Sequence, residues 1–225
     1  MSHHHPDEAL LTALAAGTLA RGPAVVTAAH AERCPRCRAH LRELDAVGGA
    51  LLEAAEPALL APEALARTLA RIDAAPPAPA ARPPAGRPPR DAARFLAGLP
   101  AGMAWPQSLA GSIPGGWHWL GPGMRWSRVR LADDRAANVF LLRIAAGKSL
   151  PSHSHAGVEL TQVLHGAFHD GRERFDAGDF DEADGSIHHQ PVVEPGSECI
   201  CLASVEGRVA FDGRLARTLG SLIGM

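Results

Sequence analysis

The chain has 225 residues, room for one or two domains, with 46% apolar residues, 4% aromatic residues and a net charge of −2. That balance gives no electrostatic case for nucleic-acid binding, and the absence of tyrosine argues against a base-stacking platform. No run approaches the ~18 apolar residues of a membrane span, and the polar, histidine-rich residues 1–9 lack the pattern of a signal peptide, so a cytoplasmic protein is expected.

Residues 6–72 are rich in Ala, Leu, Glu and Arg and read as successive helices. The first starts near Pro6, with Asp7 and Glu8 in its acidic first turn and Leu10, Leu11 and Leu14 on its apolar face. A second begins near Pro23 and a third near Pro35. A fourth begins near Pro62 and carries Leu65, Leu69 and Ile72 at i, i+4 and i+7. Exposed apolar positions on such helices, with Leu10, Leu14, Leu44, Leu51 and Leu52 as candidates, suit a partner's helices, although most helix faces serve an internal core.

Between the second and third helices lies His30-Ala-Glu-Arg-Cys34-Pro-Arg-Cys37. Pro35 suits the first turn of a helix and sets Cys34 near the N-cap, where unpaired N–H groups favour a thiolate. Two sulfurs, the His30 imidazole and one more nitrogen would close a tetrahedral structural zinc site. The extra nitrogen comes from His3, His4 or His5. The histidine triplet also reads as a fragment of a purification tag, and Cys-x-x-Cys as a redox motif, but a helical segment lacks the βαβ context a thioredoxin-like site needs.

From residue 74 to residue 90 the composition collapses to Ala, Pro, Arg and Gly, an extended semi-rigid linker. Beyond it come short β-type runs, Asn138 to Ile144, Val158 to Leu164 and Cys199 to Val205, broken by Gly, Pro and Asp turns. The organisation is therefore a helical domain over 1–73, a linker over 74–90 and an all-β barrel over 91–225.

Gly147 is followed by five residues, then His153-x-His155, three residues, Glu159, six residues and Gly166. In a strand, residues i and i+2 share a face, so His153 and His155 project together, and the turn at Ala156-Gly157-Val158 returns the chain to bring Glu159 beside them. This is the spacing of the first metal motif of the cupin β-barrels. A fourth ligand belongs downstream, where His188 and His189 point to opposite faces. A Gly-x-x-His motif read from Gly185 selects His188. By spacing alone the set accepts Zn, Mn, Fe or Ni. Cys199 and Cys201 share one strand face and read as small buried residues, with a thiol sensor as the alternative.

Several blocks in order, HHPDEALLTALAAGTL, HAERCPRC, LDAVGGALLE, HSHAGVELTQVLHGAF and HHQPVVEPGSECICLA, resemble the ChrR-type anti-sigma factors over nearly the whole chain. The resemblance implies a small all-α domain held by zinc, followed by a cupin, a double-stranded β-helix or jelly-roll barrel. It implies zinc ligands His5, His30, Cys34 and Cys37, and barrel ligands His153, His155, Glu159 and His189, the last chosen over His188 and with zinc the favoured metal. The helical domain is then expected to bind one extracytoplasmic-function sigma factor, covering surfaces needed for core RNA polymerase, and the barrel to sense singlet oxygen or related oxidants. No nucleic acid, membrane or catalytic residue is expected. A cupin enzyme such as a dioxygenase is the alternative. It would need open metal coordination and a substrate pocket with polar groups, for which Arg128, Arg130, Arg143, His165 and His169 are candidates.

Overall fold

The computed structural model describes residues 2–74, 90–207 and 209–211. Most of the expected linker, residues 75–89, lies outside them, as do residues 212–225 of the expected barrel domain. Helix α1 (Glu8–Ala15) starts one turn after the histidine triplet, and its N-cap Asp7 accepts a hydrogen bond from the Leu10 N–H at 2.7 Å. Helix α2 (Arg21–Arg33) ends at Cys34, and α3 (Pro35–Glu53) begins at the next residue. Cys34 has extended backbone angles and is at once the C-cap of α2 and the N-cap of α3, with Pro35 at N1 as its fixed φ favours. This corner fixes the distance between Cys34 and Cys37.

The apolar face of α3 follows helical spacing. Cys37 is buried and Leu41 and Leu44 are partly buried, packed with Leu11 of α1, Ala31 and Cys34. By its rise per residue α3 is about 28 Å long and α1 about 12 Å, so the last turns of α3 run past their partner. Val47, Leu51 and Leu52 there remain 57%, 69% and 78% exposed. Helix α4 (Ala64–Ala74) keeps the expected apolar stripe but buries none of it: Leu65, Leu69 and Ile72 are 71%, 51% and 63% exposed. Helix α5 (Arg90–Ala97) and a short 3-10 turn (Gln107–Leu109) lead into the sheets.

The β half consists of antiparallel strands. Five make the large sheet's main ladder: β3 (Met124–Arg130), β4 (Val139–Ile144), β12 (Cys199–Val205), β6 (Glu159–His165) and β9 (Phe180–Ala183), in that order. Its β3 side is extended by β1 (Ile113–Pro114) and β2 (His118–Gly121), each paired with β3. One small sheet holds β5 (His153–His155) between β10 (His188–His189) and β13 (Val209–Phe211). The other holds β7 (Ala167–His169) between β8 (Arg174–Asp176) and β11 (Val192–Val193).

The large sheet is apolar on both faces, and alternation along each strand separates two cores. Phe140, Leu142, Ile144, Val163, Cys199, Cys201 and Ala203 fill the barrel interior with Phe168, Phe175 and Val193. Val139, Leu141, Leu160, Leu164, Ile200 and Leu202 face outward and are covered by Val25, Val26 and Ala29 of α2, Leu109 and Phe95 of α5. Val25 and Val26 are 0% exposed, and burial of each contributes roughly 1.5–3 kcal/mol. The helical segment therefore does not stand apart from the barrel: α2 shares the barrel's outer core, which explains why strands facing helices on one side and interior on the other carry continuous apolar runs.

Two candidate metal centres

The Nδ1 atom of His5 lies 3.4 Å from the sulfurs of both Cys34 and Cys37 and 3.4 Å from His30 Nε2. His30 Nε2 is 3.3 Å from the Cys37 sulfur. A tetrahedral zinc site with ordinary bond lengths has N···N edges of about 3.3 Å and N···S edges of about 3.6 Å. The four donors thus already stand near the corners of one coordination tetrahedron, and their chemistry fits a soft or borderline divalent ion.

The three candidate histidines at the amino terminus are separated by what each touches. The backbone N–H groups of His3 and His4 donate to Asp179 Oδ1 at 2.6 and 3.2 Å, and the Phe180 N–H donates to the His4 carbonyl at 3.2 Å. The His4 ring lies 4.6 Å from that of Phe175. His3 and His4 lie along the barrel wall, and His5 is the member of the triplet that meets the sulfurs. A tag remnant would have no reason to be pinned by a buried carboxylate.

Burial holds His30 at a pKa of about 4 despite its hydrogen bond to Gln162, so its imidazole is a neutral donor at ordinary pH. Burial, then the neighbouring Cys34, pushes the Cys37 thiol up to about 12 in the absence of a cation. A bound divalent ion supplies the positive charge that makes the thiolates stable.

The second group is in the barrel mouth. His189 Nε2 stands 3.1 Å from His153 Nε2 and 3.3 Å from His155 Nε2. Glu159 Oε2 lies 3.0 Å from His155 Nε2 and 3.8 Å from His153 Nε2. The His153 Nδ1–H donates to the Pro151 carbonyl at 2.8 Å, which leaves its Nε2 lone pair pointing at the cluster. Burial works against the Glu159 charge, but the adjacent imidazoles of His153, His155 and His189 hold its carboxyl below the usual range. Burial, then the nearby His153, brings His189 down to about 4. Three imidazoles and one carboxylate converge with nitrogen and oxygen atoms only, a set that fits a divalent transition metal.

Strand register selects the fourth member. In the antiparallel pair of β10 and β5, His189 is opposite His153 and His188 opposite Ser154. His189 therefore shares the inward face, whereas His188 is exposed and lies 3.3 Å from the Ser152 hydroxyl. The Gly-x-x-His reading from Gly185 selects the neighbour that faces away from the cluster, because it counts residues from a turn and ignores which face the strand presents.

Behind the barrel group stand charged residues that the sequence did not single out. Asp170 Oδ2 lies 3.6 Å from His189 Nδ1. Its other oxygen accepts from the backbone N–H groups of Arg172 and Glu173 at 2.9 and 3.0 Å. The Arg172 guanidinium pairs with both Asp170 and Asp181. A carboxylate beside the outer nitrogen of an imidazole can help to orient it, and at 3.6 Å Asp170 is near His189 without a hydrogen bond to it; the Asp170-Gly-Arg172 turn has no spacing that announces it.

The barrel cavity beside this group has a volume of about 30 Å³ and is walled by Leu142, Ile144, Leu150, Phe168, Cys199 and Cys201. Ordinary ligand pockets run from about 300 Å³ upward, so the space suits a water or two. Arg128, Arg130, Arg143, His165 and His169 are not among the lining residues. Arg143 is instead held by Glu198, with two contacts of 2.8 Å. Cys199 and Cys201 face inward as alternation requires, are buried, and stand 3.6 Å apart at sulfur.

No helix among the described residues is long and apolar enough to cross a membrane. A family model described as the ChrR cupin-like domain matches residues 115–207. The anti-sigma-E factor ChrR of Cereibacter sphaeroides is 38% identical over 216 residues, which span 95% of this chain and 94% of that protein. Similarity extends to the crystal structure of Rhodobacter sphaeroides SigE in complex with the anti-sigma ChrR, at 37% identity and a TM-score of 0.68, covering 92% of this chain and 100% of that one. With two His-rich donor clusters standing in that framework, the chain belongs to the family of ChrR anti-sigma factors.

Proposed function

We propose that this chain binds one extracytoplasmic-function sigma factor, keeps it from core RNA polymerase, and releases it in the cytoplasm under oxidative stress such as singlet oxygen. Residues 1–73 act as the inhibitory unit and 91–225 as the sensing barrel. The observation that carries the reading is the bare apolar stripe of α4, Leu65, Leu69 and Ile72, together with exposed Val47, Leu51 and Leu52 at the free end of α3. Leaving that much aliphatic surface in water is costly for a lone chain and suits the grooves of an all-helical partner. Leu10 and Leu44, candidates on sequence grounds, pack partly within this chain and leave the exposed pair Leu51 and Leu52 as the better contacts.

Zinc is the metal proposed for His5, His30, Cys34 and Cys37, where two thiolates and two imidazoles leave no position for catalysis. Zinc is also proposed for His153, His155, Glu159 and His189. A cupin dioxygenase is the second reading, prompted by this three-histidine, one-carboxylate set. The 30 Å³ cavity, far below the volume of an organic substrate, weighs against it.

Native mass spectrometry of the chain co-expressed with sigma factors of its own genome tests the proposal. A one-to-one complex with two zinc ions is the expected result; a partner-free chain with one redox-active metal in the barrel would favour the enzyme. Leu69→Glu should weaken sigma binding at least 100-fold, read by calorimetry, with thermal stability within a degree or two because the position is exposed. At the barrel, His189→Ala should lose one metal equivalent by elemental analysis and His188→Ala none; the reverse pattern would refute the assignment of ligands.

A further inference from the structure

Two of the four donors at the thiolate centre are held from the barrel side. His30 is 0% exposed, and its Nδ1 lies 3.0 Å from Gln162 Oε1. The Gln162 side-chain NH2 donates to the Val163 carbonyl at 3.0 Å, so its oxygen is the atom left to face His30. An acceptor at that distance keeps the proton on Nδ1 and turns the Nε2 lone pair toward Cys37 and the centre of the donor cluster. Gln162 is also 0% exposed, so an unmade hydrogen bond there would leave a buried polar group unpaired.

The second histidine is held through the main chain. Asp179, 1% exposed, accepts from the N–H groups of His3 and His4 through Oδ1 and from the Asp176 N–H at 2.9 Å through Oδ2. That clamp fixes the two residues immediately before His5. The Phe180 ring packs edge-on against the His30 ring, 5.6 Å between centroids. Gln162 and Phe180 are paired across β6 and β9, so both present the outer face of the sheet to α2.

The same strand serves both centres on opposite faces. Glu159, Thr161 and Val163 of β6 point into the barrel, while Leu160, Gln162 and Leu164 point at α2. We propose that Gln162 is a positioning residue for the thiolate centre: the barrel, through this amide, sets the orientation of His30 and hence how tightly the helical segment retains its metal. The inference rests on the metal reading of His5, His30, Cys34 and Cys37 given above.

Cobalt(II) is the probe, because thiolate-to-cobalt charge-transfer absorption reports the cysteine centre and not the all-N/O barrel site. The full chain is loaded with Co²⁺ and its loss to excess EDTA is followed by stopped flow. Gln162→Leu, near-isosteric but without an acceptor, should release cobalt at least tenfold faster, in line with outer-ligand substitutions elsewhere. Gln162→Glu, which keeps an acceptor oxygen, should release it within threefold of the parent rate. Gln162→Asn, which draws the oxygen back by one carbon, should behave like Leu and replaces it if the Leu variant does not fold. A Leu or Asn variant within twofold of the parent, or a Glu variant as fast as Leu, overturns the proposal. Failure of the underlying metal reading shows separately: Cys34→Ser would then leave the charge-transfer band of the parent chain unchanged.

Discussion

Cys34→Ala is expected to remove one zinc equivalent from the full chain and abolish its inhibition of the sigma factor. Cys34 is both the hinge between α2 and α3 and one of two sulfurs in the donor set. The apolar cluster around it holds just four buried residues, Leu11, Ala31, Cys34 and Cys37, too few to keep α1 against α3 without help. Structural zinc supplies about 10–16 kcal/mol in comparable small sites, far more than the cluster's packing can replace. The barrel should survive, because Val25, Val26 and Ala29 pack against its outer face independently of the metal. Elemental analysis and run-off transcription read the two effects. A Cys34→Ala protein that still represses fully would remove the zinc-stabilised inhibitory unit from consideration.

Gly166→Ala should strongly destabilise the barrel. Its φ is +71°, and an added Cβ would lie 2.2 Å from the Glu198 carbonyl oxygen and 3.0 Å from the Cys199 Cα, both backbone atoms of the neighbouring strand. A left-handed non-glycine residue costs about 1–2 kcal/mol, and forcing two strands apart adds about 1–3 kcal/mol. Gly147, the opening glycine of the same metal motif, has φ +67° but nothing within 4 Å of an added Cβ, so Gly147→Ala should cost about 1 kcal/mol. Urea denaturation of the two variants checks the contrast; equal losses would show that the close approach of Gly166 to β12 is not what requires glycine there.

The two ends of that motif show how much was legible. Its spacing requires His153 and His155 on one strand face with Glu159 returned by a turn, and the structure has them so, because strand alternation is a local property. The corner at Cys34-Pro35 was equally readable, since proline can start a helix and cannot continue one. The apolar period of α4 was read correctly, but whether a stripe is core or interface depends on what else lies nearby. For Leu65, Leu69 and Ile72 nothing among the described residues covers it.

Composition and local spacing by themselves determined a helical segment carrying a thiolate site, a barrel carrying a nitrogen-and-carboxylate site, and six of the residues that line them up: His30, Cys34, Cys37, His153, His155 and Glu159. Each follows from geometry within a few residues of chain. The family resemblance already named His189 and His5, but the physical ground for each is tertiary: the register of β10 against β5 turns His189 inward, and the Asp179 clamp holds the two residues before His5. Gln162 and Asp170 behind the ligands are likewise tertiary decisions, 132 residues from His30 in the first case. Hydrogen bonds and register between distant segments leave no periodic trace in a sequence, because any polar residue of suitable length satisfies them once the fold has brought the partners together.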